Sequence, residues 1–138
     1  MNTVATKAKD ISHLWHLVDV KDKTLGREAT HIALLLMGKS KPYFVRNLDC
    51  GDYVVVVNAK EIQVTGRKAT EKMYANYSGY PGGLKKESFR DLRERRPQEV
   101  VKHAVYGMLP KNKLRDKLVK RLYIYSDNQH PYSTKFQK

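Results

Sequence analysis

Asp49 and Asp52 stand three positions apart, flanking Cys50-Gly51. Two carboxylates at that spacing suit a metal ion or acid–base work. Aspartates beside a glycine more commonly cap and turn the chain ahead of a strand. Neither a nucleophile nor a second carboxylate pair accompanies them in sequence. Cys50 lacks a Cys-x-x-Cys partner, and His13, His16, His31, His103 and His130 show no ligand spacing. The sequence therefore predicts no catalytic residue and no bound metal. The enzymatic alternative is an RNA-acting catalyst built from Asp49, Asp52 and a histidine. Ser78, Gly79, Tyr80, Gly82 and Gly83 form a glycine-rich run without the Gly-Lys-Ser/Thr ending of a phosphate-binding loop. Its glycines serve turn dihedrals, or let a bare backbone approach an RNA backbone beside Lys85 and Lys86.

The cations carry a stronger signal. Lys and Arg number 27 against 14 Asp and Glu, a net charge of +13. That excess points to nucleic acid, and less often to an anionic membrane surface. From Val100 to Tyr125, seven cations meet the single acid Asp116. They are Lys102, Lys111, Lys113, Arg115, Lys117, Lys120 and Arg121. A solvated helix face ordinarily mixes signs, so this one calls for an anionic partner. The loop from Gly38 to Asp52 interleaves Lys39, Lys41 and Arg46 with Tyr43 and Phe44. Cations there meet phosphates, and the rings either stack on unpaired bases or plug the core. Arg67 and Lys68 form a further basic pair in a polar turn.

Periodicity indicates what positions these groups. Trp15 to Val20 reads as a strand, and Thr24 as the cap of a helix from Leu25 to Met37 that Gly38 ends. The β-branched run Tyr53 to Val57 suits the centre of an α/β sheet, buried on both faces. Lys72 to Tyr77 reads as a short strand, Ser78 to Gly83 as a loop, and Glu87 to Arg96 as a charged helix. Pro97 opens another helix whose buried stripe is Val100, Val101, Ala104, Val105 and Met108. After the corner at Met108 and Pro110, Asn112 caps a helix with Leu114, Leu118, Val119 and Leu122 on one arc. Lys113, Lys117 and Lys120 fall on the opposite arc; Arg115 intrudes on the apolar one. Leu122 to Tyr125 is β-prone. Residues 1–12 and 126–138 read as surface extensions, the second an irregular tail, around a core of about residues 13–125.

One domain is expected from 138 residues. No run approaches the ~18 apolar residues of a spanning helix. An apolar secretory segment is missing from the first fourteen residues, which also make a poor transit peptide. A single cysteine excludes an intramolecular disulfide and fits a reducing compartment.

The motifs also occur in a known order. Leu25-Gly26-Arg27 after WHLVDV, then GKSKPYF, DCGDYVVVVNA, VTGRK, SGYPGGLK and YGMLPKNKLRDK resemble the ribosomal protein L-thirteen family, bacterial and organellar type. The resemblance runs from about Trp15 to Tyr125. It implies an α/β fold: a three-layer α/β/α domain around a mostly parallel four-stranded sheet, with extended basic loops. A structural, non-enzymatic protein of the large ribosomal subunit is also implied, one that binds 23S-type rRNA early in assembly beside neighbouring large-subunit proteins. Neither a cofactor, a membrane nor a small-molecule substrate is implied. By position, the RNA-facing segments match Lys39 and Lys41, Arg67 and Lys68, Ser78 to Gly83 with Lys85, and Met108 to Arg115. The chain departs from the family in carrying Arg115-Asp116 where glycine-arginine is common, and Tyr77 where a histidine precedes Ser78-Gly79. Opening on TKAKDI without an import-like extension favours a bacterial cytoplasm over a mitochondrial or plastid ribosome.

Overall fold

The computed structural model describes residues 4–136; the outermost positions of the two expected extensions, 1–3 and 137–138, lie outside it. Strand β1 (Trp15–Asp19) passes through a tight turn into helix α1 (Leu25–Met37). Thr24 occupies the N-cap, but its hydroxyl makes no capping bond. The helix start is held from outside, with Leu25 N–H donating to the Gln63 carbonyl at 2.8 Å. At the other end Gly38 adopts φ 74° and donates to the Leu34 and Leu35 carbonyls, the left-handed stop its sequence position predicts.

Strand β2 (Tyr53–Val57) lies at the centre of a parallel sheet, between β1 and β5 (Leu122–Ile124). Its four valines are at most 1% exposed, as a run apolar on both faces requires. On one face Val18, Val54 and Val56 join a cluster with Ile32 and Leu36 of α1. Val100, Val101 and Val105 of helix α4 (Pro97–Met108) complete it. On the other face Trp15 stacks between Tyr53 and Tyr123, with ring centroids 4.4 and 5.8 Å away.

Three expectations change here. The parallel sheet has three strands among the described residues, not four. Two further strands, β3 (Met73–Tyr77) and β4 (Leu84–Ser88), pair antiparallel with each other as a separate hairpin. The reason is the connection: the short loop Ser78 to Gly83 can close a hairpin, whereas a parallel pair needs a crossover of a dozen or more residues. β4 also takes Glu87 and Ser88, read above as the start of a helix. That helix, α3 (Phe89–Arg95), begins only after Ser88, whose hydroxyl accepts from Asp91 N–H at 3.3 Å.

Second, among the described residues no α-helix forms the layer on the aromatic face. The tail takes that place: Tyr132 stacks on Trp15 at 5.1 Å, and Phe136, ending a 3-10 turn from Ser133, meets it edge-on at 6.5 Å. Residues 126–136 thus cover the sheet because Trp15, Tyr53 and Tyr123 would otherwise leave large apolar rings in water.

Third, the basic segment is less helical than its periodicity suggests. A four-residue helix, α2 (Lys68–Glu71), precedes the hairpin, and α5 spans only Arg115–Val119. Asn112 does supply a carbonyl oxygen to Leu114 N–H at 3.1 Å, but it organises a turn ahead of the helix. Lys113 precedes α5 and Lys120 caps its end, so of the three only Lys117 lies within it. Leu118 is buried as expected, whereas Met108 is 44% exposed and leaves the buried stripe of α4.

Candidate nucleic-acid interface

The two carboxylates serve the scaffold. Asp52 sits at the mouth of β2 with its side chain 4% exposed, and Lys41 reaches it from the loop, Nζ to Oδ1 at 2.6 Å. Leu14 N–H donates to the same oxygen at 3.0 Å, and His16 Nε2 lies 2.7 Å from the other. Burial raises the Asp52 pKa, but the Lys41 ammonium, the Leu14 N–H and His16 outweigh it, so the carboxyl rests below its ordinary 3.8. Asp49 pairs with Arg121 and accepts from Gly51 N–H at 3.3 Å. With its lone pairs taken up by fixed donors, each carboxylate staples the loop to its surroundings, Asp52 to β1 and Asp49 to the residue that precedes β5. Among the described residues no His, Cys, Asp and Glu group of three or more is placed to hold a metal ion.

Two expected RNA-facing cations therefore point inward. Lys41, its side chain 10% exposed, also donates to the Ser12 and Cys50 carbonyls at 2.5 and 2.7 Å. Arg121, its side chain 12% exposed, is held by Asp49. Sequence alone marks both as positive and cannot show that each meets a carboxylate near or far along the chain. Two further scaffold residues escaped the sequence reading. His16 touches Asp52, and Gly51 lies so close to α1 that a Cβ there would stand 1.6 Å from the Leu36 carbonyl oxygen. The pairing of β1 with β2 brings His16 to Asp52, and the bond from Asp52 N–H to the Leu35 carbonyl at 3.1 Å holds Gly51 against α1; no local motif signals either.

The remaining cations of the loop converge with the basic corner. Lys39, Phe44, Arg46 and Leu48 of the 38–52 loop face Pro110, Asn112, Leu114 and Leu118 across a cleft of about 380 Å³. Met37, the last residue of α1, contributes to it too. Lys39 and Arg46 are exposed on the loop side, with Lys111 and Lys113 exposed on the other segment. Two sequence segments sixty residues apart, both basic, thus share one surface because α1 and α5 pack on the same core. Arg115, the cation inside the apolar arc, lies with its guanidinium carbon 4.0 Å from the Tyr106 ring centroid. That stacking accounts for a charge at a semi-buried position. Lys117 and Lys120 are exposed on the same segment.

A second basic surface lies on the hairpin. Tyr77 and Tyr80 are 67% and 74% exposed, with Lys85 and Lys86 exposed beside them. Arg67 and Lys68 are exposed at the start of α2. Gly79 and Gly82 need positive φ, 85° and 73°, and open space surrounds both. The glycine that makes a close approach is Gly83, where a Cβ would meet the Ser78 hydroxyl oxygen of the same loop at 1.9 Å. Turn geometry thus accounts for these glycines. The Gly-rich connection between two five-residue stretches was itself a hairpin signal.

The model of the family described as ribosomal protein L13 matches residues 13–131. The chain belongs to the ribosomal protein L13 family. Similar relatives include the large ribosomal subunit protein uL13 of Dehalococcoides mccartyi, 48% identical over 97% of this chain and 94% of that protein. The uL13 protein of Clostridioides difficile is 47% identical over 96% and 93%. That of Geobacter sp. strain M21 is 48% identical over 100% and 97%. The L13 match spans the loop, the hairpin and the basic corner, so both surfaces lie within the family's common region.

Proposed function

We propose that this chain is a structural constituent of the large ribosomal subunit that binds 23S-type rRNA and supports early subunit assembly. The observation that carries the proposal is the convergence of the 38–52 loop and the 109–118 segment on one cation-rimmed cleft. Phosphates meet Lys39 and Arg46 at the cleft wall and the exposed Lys111, Lys113, Lys117 and Lys120 along the adjoining segment, with Met108, Pro110, Asn112 and Arg115 shaping the corner. The hairpin surface supplies Arg67, Lys68, Lys85 and Lys86, and its loop from Tyr77 to Gly83 presents two exposed rings to unpaired bases. Lys41 and Arg121 are left out because their charges are neutralised by Asp52 and Asp49. Neighbouring large-subunit proteins are the other partners. The chain acts as one unit in the bacterial cytoplasm; uL13 relatives in bacteria support that location over an organelle.

Sedimentation tests this. The protein should travel with 50S-sized particles in a lysate, and the purified chain should bind 23S-type rRNA with log K falling by about 0.7–0.9 per phosphate contacted for each unit of log salt. A free protein with salt-independent RNA affinity contradicts it.

A further inference from the structure

We propose that the cleft between the 38–52 loop and the 109–118 segment receives a single unpaired nucleobase of the bound RNA, stacked on Phe44. This rests on the rRNA-binding reading above and names what the site takes. The walls are apolar where a base face needs them, at Phe44, Leu48, Leu114 and Leu118, and cationic at Lys39 and Arg46. No carboxylate is among the lining side chains, so the occupant carries negative charge next to an apolar body. A nucleotide has that distribution, since its base is flat and apolar on its faces while its phosphates are anionic. An apolar side chain from another protein has only the first half. At about 380 Å³ the cleft is of small-ligand size. A base paired within an A-form helix cannot enter it, so the nucleotide must be splayed from its stack.

The polar edge of the base also finds a partner. Asn112 turns its side-chain oxygen to Leu114 N–H at 3.1 Å, which leaves the amide nitrogen as a donor at the cleft wall. The two rings of the loop divide their work. Tyr43 lies under the Lys41 ammonium at 5.7 Å and reaches Ser12 with its hydroxyl, so it belongs to the scaffold. Phe44 is the ring that lines the cleft.

The test uses the full chain bound to 23S-type rRNA, with base edges probed by dimethyl sulfate and carbodiimide and the backbone by hydroxyl radicals. Wild type should protect one base that is unpaired and reactive in the free RNA. Phe44→Leu, which keeps the wall apolar but removes the ring, should restore that base's reactivity while the backbone footprint persists. Affinity should fall roughly 5- to 100-fold, the range for losing one base–aromatic stack. Arg46→Gln, at an exposed position that folding does not need, should weaken the same protection. Unchanged base reactivity in both variants overturns the proposal and leaves rRNA binding intact. Unchanged RNA affinity with lost incorporation into subunits also overturns it, and assigns the cleft to a neighbouring protein. Absence of any backbone footprint for wild type removes the rRNA reading itself.

Discussion

The Lys41 ammonium lies 2.6 Å from the Asp52 carboxylate, with both side chains almost wholly withdrawn from water. The pair joins the basic loop to the mouth of the central strand. Removing Lys41 leaves the buried carboxylate only Leu14 N–H and His16 as partners, and breaking a buried ion pair costs about 3–5 kcal/mol. Lys41→Met should therefore lower the free energy of unfolding by that amount in a denaturant titration. Because Lys41 faces inward, the salt slope of RNA binding should stay unchanged where the variant is folded.

The same pair sets an acid limit. Asp52 holds its proton less tightly in the folded chain than its ordinary 3.8. The folded state then binds fewer protons than the unfolded one, so stability rises with pH across this window. The contribution is complete above the unfolded value and is lost as pH falls through the lowered folded one. Unfolding midpoints measured from about pH 2 to 6 should drop below about pH 4, and Asp52→Asn should flatten part of that drop.

Glycine has two different meanings in this chain. At Gly51 a methyl group would stand 1.6 Å from the Leu36 carbonyl oxygen, a backbone atom that cannot swing aside. Gly51→Ala should destabilise by about 1–3 kcal/mol or more, the cost of forcing atoms into a packed site. Gly107 lies in α4 with nothing within 4 Å of an added Cβ. Gly107→Ala should raise stability by about 0.5–1 kcal/mol through helix propensity. Thermal melts of the two variants should move in opposite directions.

Charge and core separate at the basic corner. Lys111, Lys113 and Lys117 are exposed. Reversing all three to glutamate should leave melting nearly unchanged yet weaken rRNA binding steeply and block entry into large subunits. Ile32, fully buried in the core and outside the cleft lining, provides the converse: Ile32→Ala should cost about 2–5 kcal/mol and spare RNA affinity at temperatures where it remains folded. Normal incorporation of the triple variant would remove this corner from the interface.

Local pattern alone determined a good deal of this protein. The α1 helix with its glycine stop, the buried valine strand, the proline-led α4 and the excess of positive charge are each written within a few residues, because helix capping, strand burial and net charge are short-range properties. The order of motifs likewise carried the family. Tertiary structure alone decided which charges are available. Lys39 and Lys41 look alike in the loop, but only the second meets Asp52, because β1 and β2 pair in a register that places the carboxylate beside Leu14 and His16. Arg121 and Lys120 are adjacent, and one turns inward to Asp49. The tail is polar by composition, yet Tyr132 and Phe136 fold it over Trp15 because the sheet presents uncovered rings on that face. Charge is visible in one dimension. Whether a charge meets a carboxylate or solvent depends on contacts between distant segments, and those form only when the core closes.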